Sequence, residues 1–173
     1  ETGEHVSFAD EEVTIVDTVS YSSLITGRDY KLKGTLVDGE GNVITDMYGN
    51  QVTAETEFTA ESAFGTAEVT FTFDASKFTE NKVVVFEELY MGKTLMGVHK
   101  DLNDADQTVY FASIDTNAAD SETKTPISQA DGSVTIIDTV SYKNLVKGKE
   151  YTLKGTLVDE EGNAIYDASG NAV

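Results

Sequence analysis

Residues 13–52 and 134–173 lie over one another without a gap, at an offset of 121 residues (134 − 13). "VTIVDTVSY" returns as "VTIIDTVSY", and "LKGTLVD" and "EGN" recur unchanged. Two stretches this alike must fold alike, so the chain is built from tandem homologous units. A period of this length exceeds a solenoid turn and suits a whole domain. The repeat divides the 173 residues into one near-complete unit, 1–111, and the N-terminal part of a second, 112–173. On that reading the sequence is a fragment that starts late in one unit and stops early in another.

Within the unit the hydrophobic period is two. Val69, Phe71 and Phe73 alternate with Thr70 and Thr72, as a half-buried strand requires. The same patterning predicts strands at 13–21, 29–37, 51–58, 67–73, 82–90, 94–99 and 107–113. Turn segments such as "DGEGN" at 38–42 separate them. No stretch carries a helical period, although "SYSSLITG" at 20–27 has room for one helical turn. The expected fold is all-β, an immunoglobulin-like antiparallel β-sandwich in tandem copies.

Charge and cysteine content exclude several functions. A net charge of −19 argues against nucleic acid or an anionic membrane as partner. With no cysteine there is no disulfide, no thiolate zinc site and no cysteine nucleophile. No stretch is apolar for long enough to span a bilayer. Nothing in the pattern calls for a cofactor or a metal.

The alternation breaks at a few polar residues. Val13, Ile15, Val19 and Tyr21 share a face, yet Asp17 stands in phase among them, and Asp138 holds the same place in the second copy. An unpaired buried carboxylate is costly, which makes the recurrence informative. Glu87 ends the row Val83, Val85, while Glu88 ends the alternative row Val84, Phe86. His99 follows Leu95 and Gly97, Gln107 is in phase with Val109 and Phe111, and Thr116 lies between Ile114 and Ala118. Each has an ordinary reading alone: a β-forming threonine, a packed histidine, an acid capping a turn. Together they make a hydroxyl nucleophile, an imidazole, carboxylates and an amide electrophile, the inventory for acyl transfer inside a protein.

These segments resemble a known family. "VVVFEE" at 83–88 is similar to the Val-x-Phe-Glu hallmark of the VaFE repeats of Gram-positive surface proteins, whose domains build an internal Thr–Gln ester. "HKDLNDADQT" at 99–108 resembles the family's closing segment, and "IDTNAAD" at 114–120 its opening strand. "IVDTVSY" and "IIDTVSY" resemble the strand that follows. The resemblance implies Gln107 as acyl donor, His99 and Glu87 as site partners, and Asp17 as the first unit's aspartate. It implies Thr116 and Asp138 as nucleophile and aspartate of the second unit. Thr116 precedes Asp138 by 22 residues (138 − 116), so the first unit's own threonine would precede residue 1. Thr2 is the stand-in, but "ETGEHVSF" does not match "IDTNAADS".

The resemblance further implies a structural stalk domain of a bacterial cell-surface adhesin, extracellular and wall-anchored in the full-length protein. Its cross-link would form once, autocatalytically, without turnover, so the protein is not an enzyme in the usual sense. His99 would shuttle the proton, and a desolvated, protonated Glu87 would stabilise the oxyanion. The partners are neighbouring repeats, with strand-swapped self-association through Thr116 and Gln107 as a further expectation. No feature designates a host ligand. The competing classes are an uncross-linked spacer, a ligand-binding adhesin module and a calcium module on "DLNDAD". The last offers Asp101, Asn103 and Asp106 but lacks the glycine and distal glutamate of an EF-hand loop.

Overall fold

The computed structural model describes residues 5–46, 48–76, 78, 81–130 and 132–173. Along them run strands β1 (Val6–Phe8), β2 (Val13–Ser22), β3 (Asp29–Val37), β4 (Thr53–Thr59), β5 (Phe64–Phe73), β6 (Lys82–Met91), β7 (Thr94–His99), β8 (Thr108–Asp120) and β9 (Ile136–Lys143). Two sheets result. The larger follows the order β1-β8-β6-β3-β4, with β7 added to β6 and β9 to β8, and β2 pairs with β5 in the smaller. Every strand pairing is antiparallel except that of β1 with β8, which is parallel.

The alternation of each strand decides which side it buries. Val13 and Ile15 of β2 and Val69, Phe71 and Phe73 of β5 face Leu32 and Leu36 of β3, Val83 and Val85 of β6 and Phe111 of β8. The first unit is therefore a two-layer sandwich, immunoglobulin-like in arrangement, with this main core and a smaller cluster of Leu24, Tyr30 and Ala60. β6 is central. One edge pairs with β3, and the other pairs with β8 over Lys82–Val84 and with β7 over Glu87–Met91. That changeover is where Gln107 lies, its carbonyl accepting the Val85 N–H at 2.9 Å.

Two expectations are corrected, and one pairing is added. No helical turn forms at 20–27. Residues 20–22 finish β2, and Gly27, at a φ of 77°, closes a turn whose N–H bonds the Ala60 carbonyl. The antiparallel β-sandwich expected is the fold found, with the short β1 added to β8 in parallel as a pairing the patterning did not reveal. The closing strand and the opening strand of the second unit are one strand. β8 runs unbroken through residues 111 and 112, because Thr108–Asp120 contains neither glycine nor proline.

The second unit repeats the local geometry of the first. The Tyr30 hydroxyl accepts from the Ile25 N–H, as Tyr151 does from Val146. Leu36, Ile44 and Val52 close a ring of three backbone hydrogen bonds, and Leu157, Ile165 and Val173 close the same ring. In both units aspartates at the equivalent loops accept two backbone N–H groups and an asparagine amide.

Candidate functional site

Asp17 and Glu87 come from facing sheets and meet inside the core. Asp17 shares the inner face of β2 with Val13 and Ile15, and Glu87 shares that of β6 with Val83 and Val85. Both are buried, at 7% and 3% exposure. Glu88, one residue on, points the other way and binds Lys100 at 2.6 Å and the Tyr90 hydroxyl at 2.8 Å. The choice between the two glutamates, open in the sequence, falls to Glu87.

The Gln107 carboxamide reaches the same point from the start of β8. Its Nε2 donates to Asp17 Oδ1 at 3.3 Å. The buried oxygens Asp17 Oδ2, Glu87 Oε1, Glu87 Oε2 and Gln107 Oε1 have no hydrogen-bond partner. Acceptors gathered without donors are costly, so a proton is drawn in. Burial first, then the Asp17 charge and the closeness of its carboxyl, push the Glu87 carboxyl up to about 8. Burial also raises Asp17, while Glu87, Gln107 and the charge of His99 pull it back down. At neutral pH Glu87 thus keeps its proton beside Asp17, whose own carboxyl is also raised by burial.

His99 does not join the apolar row expected of it. β7 is exposed along its whole length, and among the described residues it pairs only with β6. His99 stands opposite Glu87 in the ladder, yet its Nε2 meets Asp104 Oδ2 at 3.0 Å on the half-exposed surface. Its connection with the cluster is electrostatic, through Asp17.

Thr116 and Asp138 lie elsewhere, in the second unit, and both are exposed. Thr116 is opposite Val140 on β9 and Asp138 is opposite Ala118, so the hydroxyl and carboxylate are diagonal neighbours on one face. Thr116 and Gln107 stand nine residues apart, and β8 carries them to separate places. At 3.3 Å per residue that is about 30 Å, so Thr116 cannot attack the Gln107 of its own chain. Thr2 lies outside the described residues.

A groove opens beside the cluster, with a volume of about 510 Å³. Val13 to Thr18 of β2 form one wall, His5 to Phe8 another, and Asp106 and Gln107 the end. Among the described residues β2 pairs only with β5, so the edge along this groove is open. Two contributors escaped the sequence reading. Gly34 lies opposite Glu87 across the β3–β6 ladder and leaves room for its carboxyl. His5 borders the groove and bonds the Thr108 carbonyl through Nδ1 at 2.9 Å. The repeated "LKGTLVD" contained the first signal, since a glycine inside a strand marks a close approach.

The acidic loop after β7 is organised by its own backbone. Asp101 Oδ1 accepts the Asn103 N–H, and Asp104 Oδ1 accepts that of Asp106. Among the described residues no group of three or more acidic, histidine or cysteine side chains is placed to hold a metal.

No curated protein matches the chain at a significant level. Among solved structures it is similar to a bacterial adhesin from Mobiluncus mulieris containing intramolecular disulfide, isopeptide and ester bond cross-links, in two crystal forms. One is 12% identical with a TM-score of 0.51, the other 13% with 0.49, and each covers 80% of this chain and 72% of that chain. At such identity the likeness in the first form speaks for the fold alone. A profile of the T-Q ester bond containing domain matches residues 1–111 and again residues 112–173. Both units of this chain belong to the family of T-Q ester bond containing domains.

Proposed function

We propose that residues 1–111 and 112–173 are successive stalk units of a bacterial cell-surface adhesin, each locked by a Thr–Gln ester between its opening and closing strands. The observation that carries this reading is the carboxamide of Gln107 against two buried carboxyls, one of which keeps its proton, at the end of an open groove. A plain spacer gains nothing from buried acceptors without partners.

The nucleophile arrives on a strand. The first unit's β2 corresponds to β9, and β9 already carries the Thr116 strand on its edge. An equivalent strand on β2 sets its threonine opposite Val19, the position equivalent to Val140. Directly opposed side chains share a face, so the hydroxyl points inward beside Asp17. The strand comes from the preceding unit's end or from the 113–120 segment of another molecule.

Chemistry follows from the contacts. The threonine oxygen attacks Cδ of Gln107 and its proton passes to Asp17. Charge develops on Gln107 Oε1, where the Glu87 proton stabilises it. Asp17 Oδ1, already touching Nε2, returns the proton to the nitrogen; the C–N bond breaks and ammonia leaves. The products are one ester and one ammonia. Asp17, in contact with the leaving nitrogen, takes the shuttle role first given to His99. A protonated His99 would favour the ionised form of Asp17. In the second unit Asp138 stands ready in the same relation to Thr116. Joining first strand to last closes a loop of roughly a hundred residues, which on the disulfide analogy contributes about 4 kcal/mol.

A synthetic peptide of residues 112–126, added to the chain, tests this. The expected product has the summed mass less one ammonia, is cleaved by hydroxylamine and maps to Thr116 of the peptide and Gln107 of the chain. Gln107→Ala gives none. Without peptide, slow ester-linked oligomers are expected, and Thr116→Ala in the chain removes them while leaving it reactive to peptide. If Gln107 keeps its amide under all these conditions, the reading fails.

A further inference from the structure

We infer that consecutive units are fastened by a clamped joint without a hinge, in which β8 is shared and Asn144 is the clamp. The interface partner is the next copy of the unit in the same chain, and the inference does not depend on ester formation.

Three observations meet at this joint. First, no residue of β8 between the units is left unpaired. Tyr110 to Ala112 pair with β1 of the first unit, and Ser113 to Asp120 pair with β9 of the second. A linker with glycine or proline would permit rotation, and none is present. Second, Asn144 crosses back. Its Nδ2 donates to the carbonyl of Phe111 in β8 at 2.9 Å and to that of Asn81, just before β6, at 3.4 Å. Its φ is 55°, a left-handed conformation that asparagine tolerates better than most side chains. Third, Phe8 meets Tyr151 edge to face, with ring centroids 6.5 Å apart.

The rest of the joint is a cleft of about 830 Å³ lined by Ile114, Tyr142, Leu145 and Leu153 among others. Broad packing therefore does not hold the angle; the shared strand and two point contacts do. The position equivalent to Asn144 in the first unit is Ser23, also left-handed at a φ of 64°. A serine hydroxyl has one proton to give, whereas the carboxamide has two. The turn is thus common to both copies, and the clamp is a property of the residue placed there. Where the ester reading also holds, successive cross-links would be tied by nine residues of one stiff strand.

The chain lacks cysteine, so cysteines introduced at Glu57 and Ser141 place one spin label in each unit. Pulsed dipolar spectroscopy is expected to give one narrow distance distribution. Asn144→Ala and Asn144→Asp, which remove the donor, are expected to broaden it about twofold, since one or two net hydrogen bonds separate fixed from loose. Labels at Glu57 and Thr72, both within the first unit, should be unaffected. A broad distribution in the parent chain, or an unchanged width in both Asn144 variants, overturns the joint.

Discussion

At the residue scale, Gly34 shows how closely the cluster is fitted. A Cβ there would stand 2.3 Å from Phe71 Cζ and 2.6 Å from Glu87 Oε1, so the constraint is space. Gly34→Ala is expected to lower stability by about 1–3 kcal/mol, the usual range for overpacking, read from urea denaturation. Gly155, its counterpart, meets nothing within 4 Å, and the same change there is expected to be near neutral. Glu87 gives a second prediction. Folded, it keeps its proton to about pH 8, and unfolded it releases it near 4.5. Between those values the folded chain binds more protons, so this contribution is full below about pH 4.5 and is lost as pH rises to about 8. Glu87→Gln should remove that slope from the urea midpoint, leaving parent and variant to diverge across this window. A parallel pH response in the two would contradict the assignment. Asp17 and Glu87 were visible in the sequence because alternation puts each among apolar neighbours. The clash at Gly34 was not, since it depends on the phenyl ring of another strand.

At the element scale, register decides reactivity. Shifting the peptide's threonine by one position, to the place of Asn117, turns the hydroxyl to the outer face. Adduct yield by intact mass is expected to fall at least about tenfold, because the nucleophile then faces away from Gln107. Equal yield from the shifted peptide would show that β2 does not set the approach. The strands themselves were legible nearly throughout: 29–37 and 94–99 match to the residue, and 67–73 extends only backwards to Phe64. Short β1 was missed because three residues carry no periodicity. β8 was cut in two because the repeat suggests a boundary, whereas the backbone has no reason to break there. His99 was misplaced because period-two counting gives the face of a strand, not whether anything covers it.

Over the whole molecule, the two units bury the same residues to different degrees. Leu32 is 2% exposed and its counterpart Leu153 is 65% exposed. Ile15, Tyr30, Ile44 and Val52 are buried, whereas Ile136, Tyr151, Ile165 and Val173 are not. The strands that cover these positions in the first unit, β5 and β6, have no counterpart among the described residues of 112–173. Dye binding to exposed apolar surface should therefore drop several-fold when the chain is shortened to end after Asp120, with the urea midpoint of the first unit unchanged. Undiminished binding would place the exposed surface elsewhere. This imbalance was implicit in the repeat, which aligns only as far as residue 52, but the sequence could not say that β8 would bind the units together. The central claim is that Gln107 loses its amide nitrogen to an incoming threonine. Its most direct test is NMR of the chain labelled with nitrogen-15 in the glutamine side chains, followed as the 112–126 peptide is added. The account expects the Gln107 side-chain signals to vanish while labelled ammonium appears in equal amount. Signals that shift but persist, with no ammonium released, would mean docking without reaction and would contradict it.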